Sequence, residues 1–356
     1  MVQGRHHTLA WLLWLLAAAS LALLNQQPLL QVLLCLAVGT VFRTCAPPSE
    51  VRQGWSAFLR LGFFAWAIAL AFNLLSVHAG RCVLLRLPES WPLVGGPITL
   101  EALLYGLASG ASLFAILLVF ATFNAVMDAH RLLRWMPAGL AGAGLVVSIA
   151  ITFVPQLLTA WREIRDAQRV RGLRVQGVRA LVPLVVPLLT MALERSLTLA
   201  ESMEARGFGR PVSPASWGAR VGVPALTVLG LALALGGLSI QALGIAARAW
   251  GWLAVAAGLG MALGAVAWQG RAARRTRYAR ERWSPADTWV AAASVLSLAL
   301  LVLRRLTLPA AFLYYPYPPS SPWPTFDPLA GLAAVLLAAP ALVGAWGGEG
   351  PEERAA

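Results

Sequence analysis

The sequence predicts an all-α, polytopic helical membrane protein with a cytoplasmic coupling-helix domain inserted between its spans. Three observations carry this. Of 356 residues, 59% are apolar and 12% charged, against about 45–50% and 25% in soluble domains. The apolar residues gather in long runs matched to the roughly 20 residues that cross a bilayer as a helix. Charge, Gly and Pro cluster between those runs, and the Arg clusters fall on alternate sides, as they do when basic loops stay in the cytoplasm.

Taken in order, the predicted spans are 9–24, 29–42, 58–79, 99–126, 221–246, 250–268, 286–303 and 327–346. The first, behind Arg5, also has the make-up of a secretory signal, with small residues Ala17–Ser20, but a second apolar run follows almost at once. Two further runs, 138–160 and 181–200, are long enough to span and are read differently. The second holds Glu194 and Arg195 inside it, with Pro183 and Pro187 four residues apart, which is costly against lipid. Parity decides the first. With Arg5 inside, the loop of Arg43 and Arg52 is inside, 80–97 is outside, and the turn of Arg131 and Arg134 is inside. A crossing at 138–160 would put 161–210, with nine Arg against five acids, outside.

The expected organisation is therefore N-terminal membrane helices over 1–127, cytoplasmic coupling helices over 128–220, C-terminal membrane helices over 221–346, and a polar tail at 347–356. Both termini are expected inside. The segment 271–282, with six Arg against one Glu, also lies inside. Tyr314–Pro324, rich in Pro and Tyr, reads as an extracellular loop, with Arg304 and Arg305 beside it reaching to headgroups. GxxxG pairs at Gly106–Gly110 and Gly260–Gly264 suit close helix packing. Glu101 and Asp128 fall near span ends, where interfacial placement accounts for them.

Composition excludes several functions. All 28 basic residues are Arg, so neither a Walker A lysine nor Schiff-base chemistry is available. The net charge of +13 reflects Arg retained at the cytoplasmic side rather than nucleic-acid binding, because the Arg clusters do not share one polar face. Cys35, Cys45 and Cys82 have no CxxC spacing, and His6, His7, His78 and His130 are scattered, so no metal site is expected. Four Asp, at 128, 166, 287 and 327, form no DD or DxxD pair, which argues against an enzyme using an aspartate-bound metal. No cofactor is expected. An ATPase-independent channel or scaffold is the other rival class.

One local echo stands out, AQRVRG at Ala167–Gly172 and MEARGFG at Met203–Gly209. Each ends a long amphipathic helix with Arg followed by Gly. Gly supplies a left-handed cap, and Arg faces the negative end of the helix dipole. Taken alone, either is a helix stop. Two copies 35 residues apart, each presenting a guanidinium fork, suit docking into carboxylate-lined grooves.

From about Glu101 to Pro211, and most closely from Ser148 to Gly209, the chain resembles the transmembrane T component of energy-coupling factor transporters, including the cobalt/nickel type. The resemblance rests on FVPQLLTAWREIRDAQRVRG followed by LVPLVVPLLTMALERSLTLAESMEARGFG. The first motif reads Val-Arg-Gly where the family has Ala-Arg-Gly. Residues from about 270 onward lie outside the resemblance, and the N-terminal hundred match it only in hydropathy.

The resemblance implies a non-catalytic coupling subunit of an ABC-type importer in a prokaryotic inner or plasma membrane, taking up a vitamin or a transition-metal ion. It implies two cytosolic ABC ATPase subunits that hydrolyse ATP, and a substrate-binding membrane S component, as partners. Carried over, Arg171 with Gly172 and Arg206 with Gly207 are the docking positions, and Gln168, Arg169, Met203, Glu204 and Ala205 are their neighbours. Apolar faces, such as Leu181, Val185, Leu188 and Leu189, would pass motion to the S component or pack internally.

Overall fold

The computed structural model describes residues 6–46, 51–86, 95–134, 141–172, 181–208, 217–243, 248–272, 283–317, 323–324 and 326–346. The chain is a multi-pass helical membrane protein, as the composition predicts, and it divides into two compact units. One comprises Met1–Leu132 with Ala279–Ala356, the other Leu133–Tyr278.

The first unit contains α1 (Thr8–Leu24), α2 (Pro28–Cys45), α3 (Val51–Ser76), β1 (Val83–Arg86), β2 (Pro97–Thr99), α4 (Leu100–Val126) and α5 (Ala129–Arg134). From the other end of the chain come α10 (Pro285–Thr307), a 3-10 turn at Pro309–Phe312, α11 (Pro328–Leu336) and α12 (Ala339–Trp346). Helix α1 lies against α10 and α4, α2 against α4, α11 and α12, and α3 against α4. Its core is built from Trp11, Trp14, Leu21, Leu30, Leu34, Val38, Val41, Val119, Leu301, Phe312 and Leu337. Trp11, Trp14 and Leu21 bring α1 fully into this core.

Helices α10–α12, outside the resemblance, thus complete the N-terminal core. Polar contacts tie them to the N-terminal helices and to one another. The Trp14 indole N–H donates to the Leu337 carbonyl at 2.8 Å, the Ser297 hydroxyl to the Ala333 carbonyl at 2.7 Å, and the Gln26 amide to the Phe312 carbonyl at 2.8 Å. Arg304 and Arg305 do not reach out as expected. The Arg304 fork places both Nε and Nη2 at 2.7 Å from Asp327 Oδ2, while Asp327 caps α11 through the Leu329 amide. Arg305 Nη1 donates to the carbonyl of Leu24, the last residue of α1.

Two further readings are corrected. The predicted span 327–346 is two short helices, because Pro340 lacks an N–H and its ring clashes with the carbonyl four residues back, at Leu336, where α11 stops. The stretch 80–97, expected outside, contributes to an antiparallel pair that helical periodicity could not announce, with Val83 opposite Thr99, Leu85 opposite Ile98 and Arg86 opposite Pro97. In the loop of Tyr314–Pro324, Tyr314 and Tyr317 turn inward and are buried.

The second unit contains α6 (Ala141–Val170), α7 (Val182–Ala205), α8 (Trp217–Leu243) and α9 (Arg248–Ala272). Helix α6 packs on α7, and α8 on α9. The α8–α9 pair approaches closely enough that a Cβ at Gly230 would sit 2.7 Å from the Gly258 carbonyl. Of the two GxxxG pairs, Gly106 and Gly110 lie against Leu70 and Trp66 of α3, while Gly260 and Gly264 meet open space.

Among the described residues, seven helices have the length and hydropathy to cross a bilayer: α2, α3, α4, α6, α7, α8 and α10. Helix α1 and the apolar stretch Leu253–Trp268 of α9 are shorter. The set differs from the eight spans expected, and it includes α6 and α7, which Arg parity keeps on one side. Hydropathy and parity point in different directions there.

His6 and His7 take part in capping α1 and α10. His7 caps α1 by accepting the Leu9 amide. Buried His6 sets Nδ1 3.2 Å from Asp287 Oδ1, and the same oxygen accepts the His7 amide at 2.8 Å. Asp287 Oδ2 accepts the amide and hydroxyl of Ser284, both at 2.8 Å, closing a capping box on α10. Asp287→Ala removes a cap and leaves buried donors unmatched, so it should destabilise the protein by about 2–4 kcal/mol. A thermal melt in detergent checks this; a midpoint equal to wild type would show that this latch is dispensable.

Candidate docking site at the ends of α6 and α7

Both Arg-Gly motifs sit at helix C-termini in the second unit, and each closes on a left-handed glycine whose amide donates three residues back. At the end of α7 the Gly207 amide donates to the Glu204 carbonyl at 2.8 Å and the Phe208 amide to the Met203 carbonyl at 3.0 Å. These are the paired bonds of a Schellman cap, which requires a left-handed residue; Gly207 supplies it with φ +79°. At the end of α6 the Gly172 amide donates to the Arg169 carbonyl at 3.0 Å, and Gly172 has φ +85°.

The two arginines therefore occupy equivalent positions, each the last residue before the left-handed glycine. Arg171 and Arg206 are exposed, and among the described residues neither guanidinium has a hydrogen bond or ion pair. Arg169 differs, lying 3.9 Å from Asp166 one turn back, an exposed pair of small energetic value. Gln168 and Met203 hold matching positions three residues before their arginines and are half-buried, while Glu204 and Ala205 are exposed.

Sequence reasoning passed over two flanking residues. Val170 is 90% exposed and Phe208 55% exposed, so each guanidinium is bordered by an apolar side chain in the open. The signal was present in VRG and RGF but is indistinguishable from helix punctuation until exposure is known.

The flanks of both helices are apolar as well. On α7, Val182, Val186, Leu189, Leu193 and Leu197 are exposed at helical spacing. Of the residues singled out earlier, Leu181, Val185 and Leu189 are exposed and Leu188 is half-buried. Hydroxyls on this helix turn back onto it: Thr190 donates to the Val186 carbonyl, Ser196 to Ala192, Thr198 to Glu194 and Ser202 to Leu199. Such back-bonding removes the need for water at the helix surface and suits it to an apolar neighbour.

Among the described residues no group of three His, Cys, Asp or Glu side chains is placed to hold a metal. The family described as cobalt transport protein, CbiQ, matches residues 2–217, and the chain belongs to it, as a transmembrane T component of the energy-coupling factor type. That match corrects the reading that the N-terminal hundred residues share only hydropathy with the family: it takes in α1–α3 and stops where α8 begins.

Curated relatives agree. An energy-coupling factor transporter transmembrane protein EcfT of Bacillus selenitireducens is 30% identical over 191 residues, 51% of this chain and 69% of that protein. That of Leuconostoc gelidum subsp. gasicomitatum is 35% identical over 91 residues, 24% of this chain and 34% of the relative. That of Bacillus subtilis is 40% identical over 70 residues, 18% and 26% respectively. The chain thus spans only about a third of the Leuconostoc relative's length.

A Cβ at Gly207 would meet nothing within 4 Å, so any penalty of Gly207→Ala is one of backbone conformation. It should cost about 1–2 kcal/mol of local stability, seen as faster hydrogen exchange at the Phe208 amide with little change in global melting. Unchanged exchange would mean that the cap does not depend on the left-handed residue.

Proposed function

We propose that this chain is the coupling subunit of an ATP-driven importer, non-catalytic itself, with Arg171 and Arg206 each entering a carboxylate-lined groove on a different cytosolic ATPase subunit. The observation that carries this reading is the likeness of the two helix ends: a left-handed glycine closes each, and before it stands an exposed arginine that has no partner among the described residues. Gly172 and Gly207 take the left-handed conformation directly after each arginine. Gln168, Arg169, Met203, Glu204 and Ala205 form the collar around the two contacts. A planar fork on a short stalk pairs bidentately with a carboxylate, and Val170 and Phe208 exclude water around it.

ATP-driven closure of the two ATPases would then move the ends of α6 and α7 relative to each other. The exposed Val182–Leu197 stripe would pass that motion to a small substrate-binding membrane subunit delivering a vitamin or a transition-metal ion. Placement of 128–210 on the cytoplasmic side rests on its Arg excess and on Glu194 and Arg195, both exposed. A charged side chain at the bilayer centre costs about 2.5–3.5 kcal/mol on insertion scales.

Truncating an arginine buried against a carboxylate should cost about 2–5 kcal/mol of docking, much of it from the partner charge left bare. As helix punctuation alone, it would cost about 0.3–1 kcal/mol. The double variant Arg171→Ala, Arg206→Ala should therefore express normally, lose its copurifying ATPases and fail in uptake. A double variant that holds its ATPases and transports at the wild-type rate would reduce the motifs to helix stops.

A further inference from the structure

The ends of α6 and α7 are alike in their arginines and opposite in the charge beside them. The Arg171 amide donates to the Ala167 carbonyl and the Arg206 amide to the Ser202 carbonyl, both at 3.3 Å, so the two helices can be compared position by position back from each arginine. A turn holds about 3.6 residues. The last turn of α6 is therefore Gln168, Arg169, Val170 and Arg171, and that of α7 is Met203, Glu204, Ala205 and Arg206. The one change of charge between them is Arg169 against Glu204, and both are exposed. One turn further back, Arg165 and Asp166 of α6 correspond to Ala200 and Glu201 of α7. Over these two turns the α6 end has Arg165, Arg169 and Arg171 against Asp166, a net charge of +2, while the α7 end has Arg206 against Glu201 and Glu204, a net charge of −1.

Local electrostatics accounts for one end only. Cations suit a helix C-terminus and anions do not, and like charges one turn apart on a helix disfavour it. On α6 the acid is answered in place, since Arg169 Nη1 lies 3.9 Å from Asp166 Oδ1. Glu201 and Glu204 stand in the same i, i+3 relation with both charges negative. They sit at the negative end of the α7 dipole, and among the described residues neither has an ion pair. What α7 lacks within the chain, a cation beside Glu204, a docking partner can supply.

Resting on the docking reading above, we propose that Arg169 and Glu204 assign each helix end to its own ATPase subunit. The α6 end takes a groove walled by carboxylates alone, which receives Arg171 and draws Arg169 away from its weak pair with Asp166. The α7 end takes a groove of mixed charge, with a carboxylate for Arg206 and an Arg or Lys facing Glu204. Exchanging the two ends sets like charges face to face, Glu204 against carboxylates and Arg169 against the groove's cation, and that disfavours the wrong pairing. The two grooves therefore differ, and so do the ATPase subunits that carry them.

The test crosslinks the assembled transporter from Ala167→Cys and, separately, from Ser202→Cys, each one turn behind its arginine, with Cys35, Cys45 and Cys82 replaced. Mass spectrometry identifies the captured ATPase. With the native charges each position should prefer its own subunit by about tenfold or more. Glu204→Arg should move capture from Ser202→Cys toward the subunit that α6 takes, and Arg169→Glu combined with Glu204→Arg should bring both preferences to unity or below. Where a reversal blocks assembly, Arg169→Gln and Glu204→Gln carry the comparison, and each preference should fall severalfold. Capture of both ATPases with the native assignment unchanged in these variants overturns the proposal and leaves the docking reading standing, as do two ATPase subunits of identical sequence. Failure of both positions to capture any ATPase from an assembled complex overturns the two together.

Discussion

A helix cannot leave its last carbonyls bare against an apolar neighbour, and how α6 and α7 meet that requirement determines where their arginines stand. The Schellman bonds at Met203 and Glu204 satisfy two of those carbonyls, and they form only if the next residue turns left-handed. With glycine in that turn, the preceding Arg is the last side chain before it. Position and exposure of Arg206, and of Arg171 in the matching place, therefore follow from backbone hydrogen bonding. The dipole favours a cation there, so the arginine and the cap stabilise each other.

The same rule of satisfying polar groups locally holds the first unit together. Its two chain segments are far apart in sequence, and they are joined where helices end. The Leu337 carbonyl, exposed by the break before Pro340, accepts the Trp14 indole; the Leu24 carbonyl accepts Arg305; Asp287 serves both the start of α10 and the start of α1. Each contact uses a terminal group that an uninterrupted helix would have kept to itself.

Helix existence was legible because apolar runs and 3.6-residue periodicity are local signals, and the ends of α6 and α7 were legible because Arg-Gly is a local instruction. The break in the last predicted span needed Pro340 to be weighed against the carbonyl of Leu336. Pairing of β1 with β2 and the His6–Asp287 contact join residues whose partners no local pattern names. Sidedness was least legible: Glu194 and Arg195 and the Arg count argue against a crossing, while length and hydropathy of α6 and α7 permit one. Among site residues, Arg171, Gly172, Arg206 and Gly207 were found from spacing, whereas Val170 and Phe208 needed exposure to show their character.

The most direct measurement is site-specific crosslinking from the two helix ends in the assembled transporter. Single cysteines at Val170→Cys and Phe208→Cys, with Cys35, Cys45 and Cys82 replaced, carry a short crosslinker. The account predicts that each position captures an ATPase subunit, with the two positions reaching different subunits of the pair. A complex that retains its ATPases while neither position crosslinks to them would contradict it.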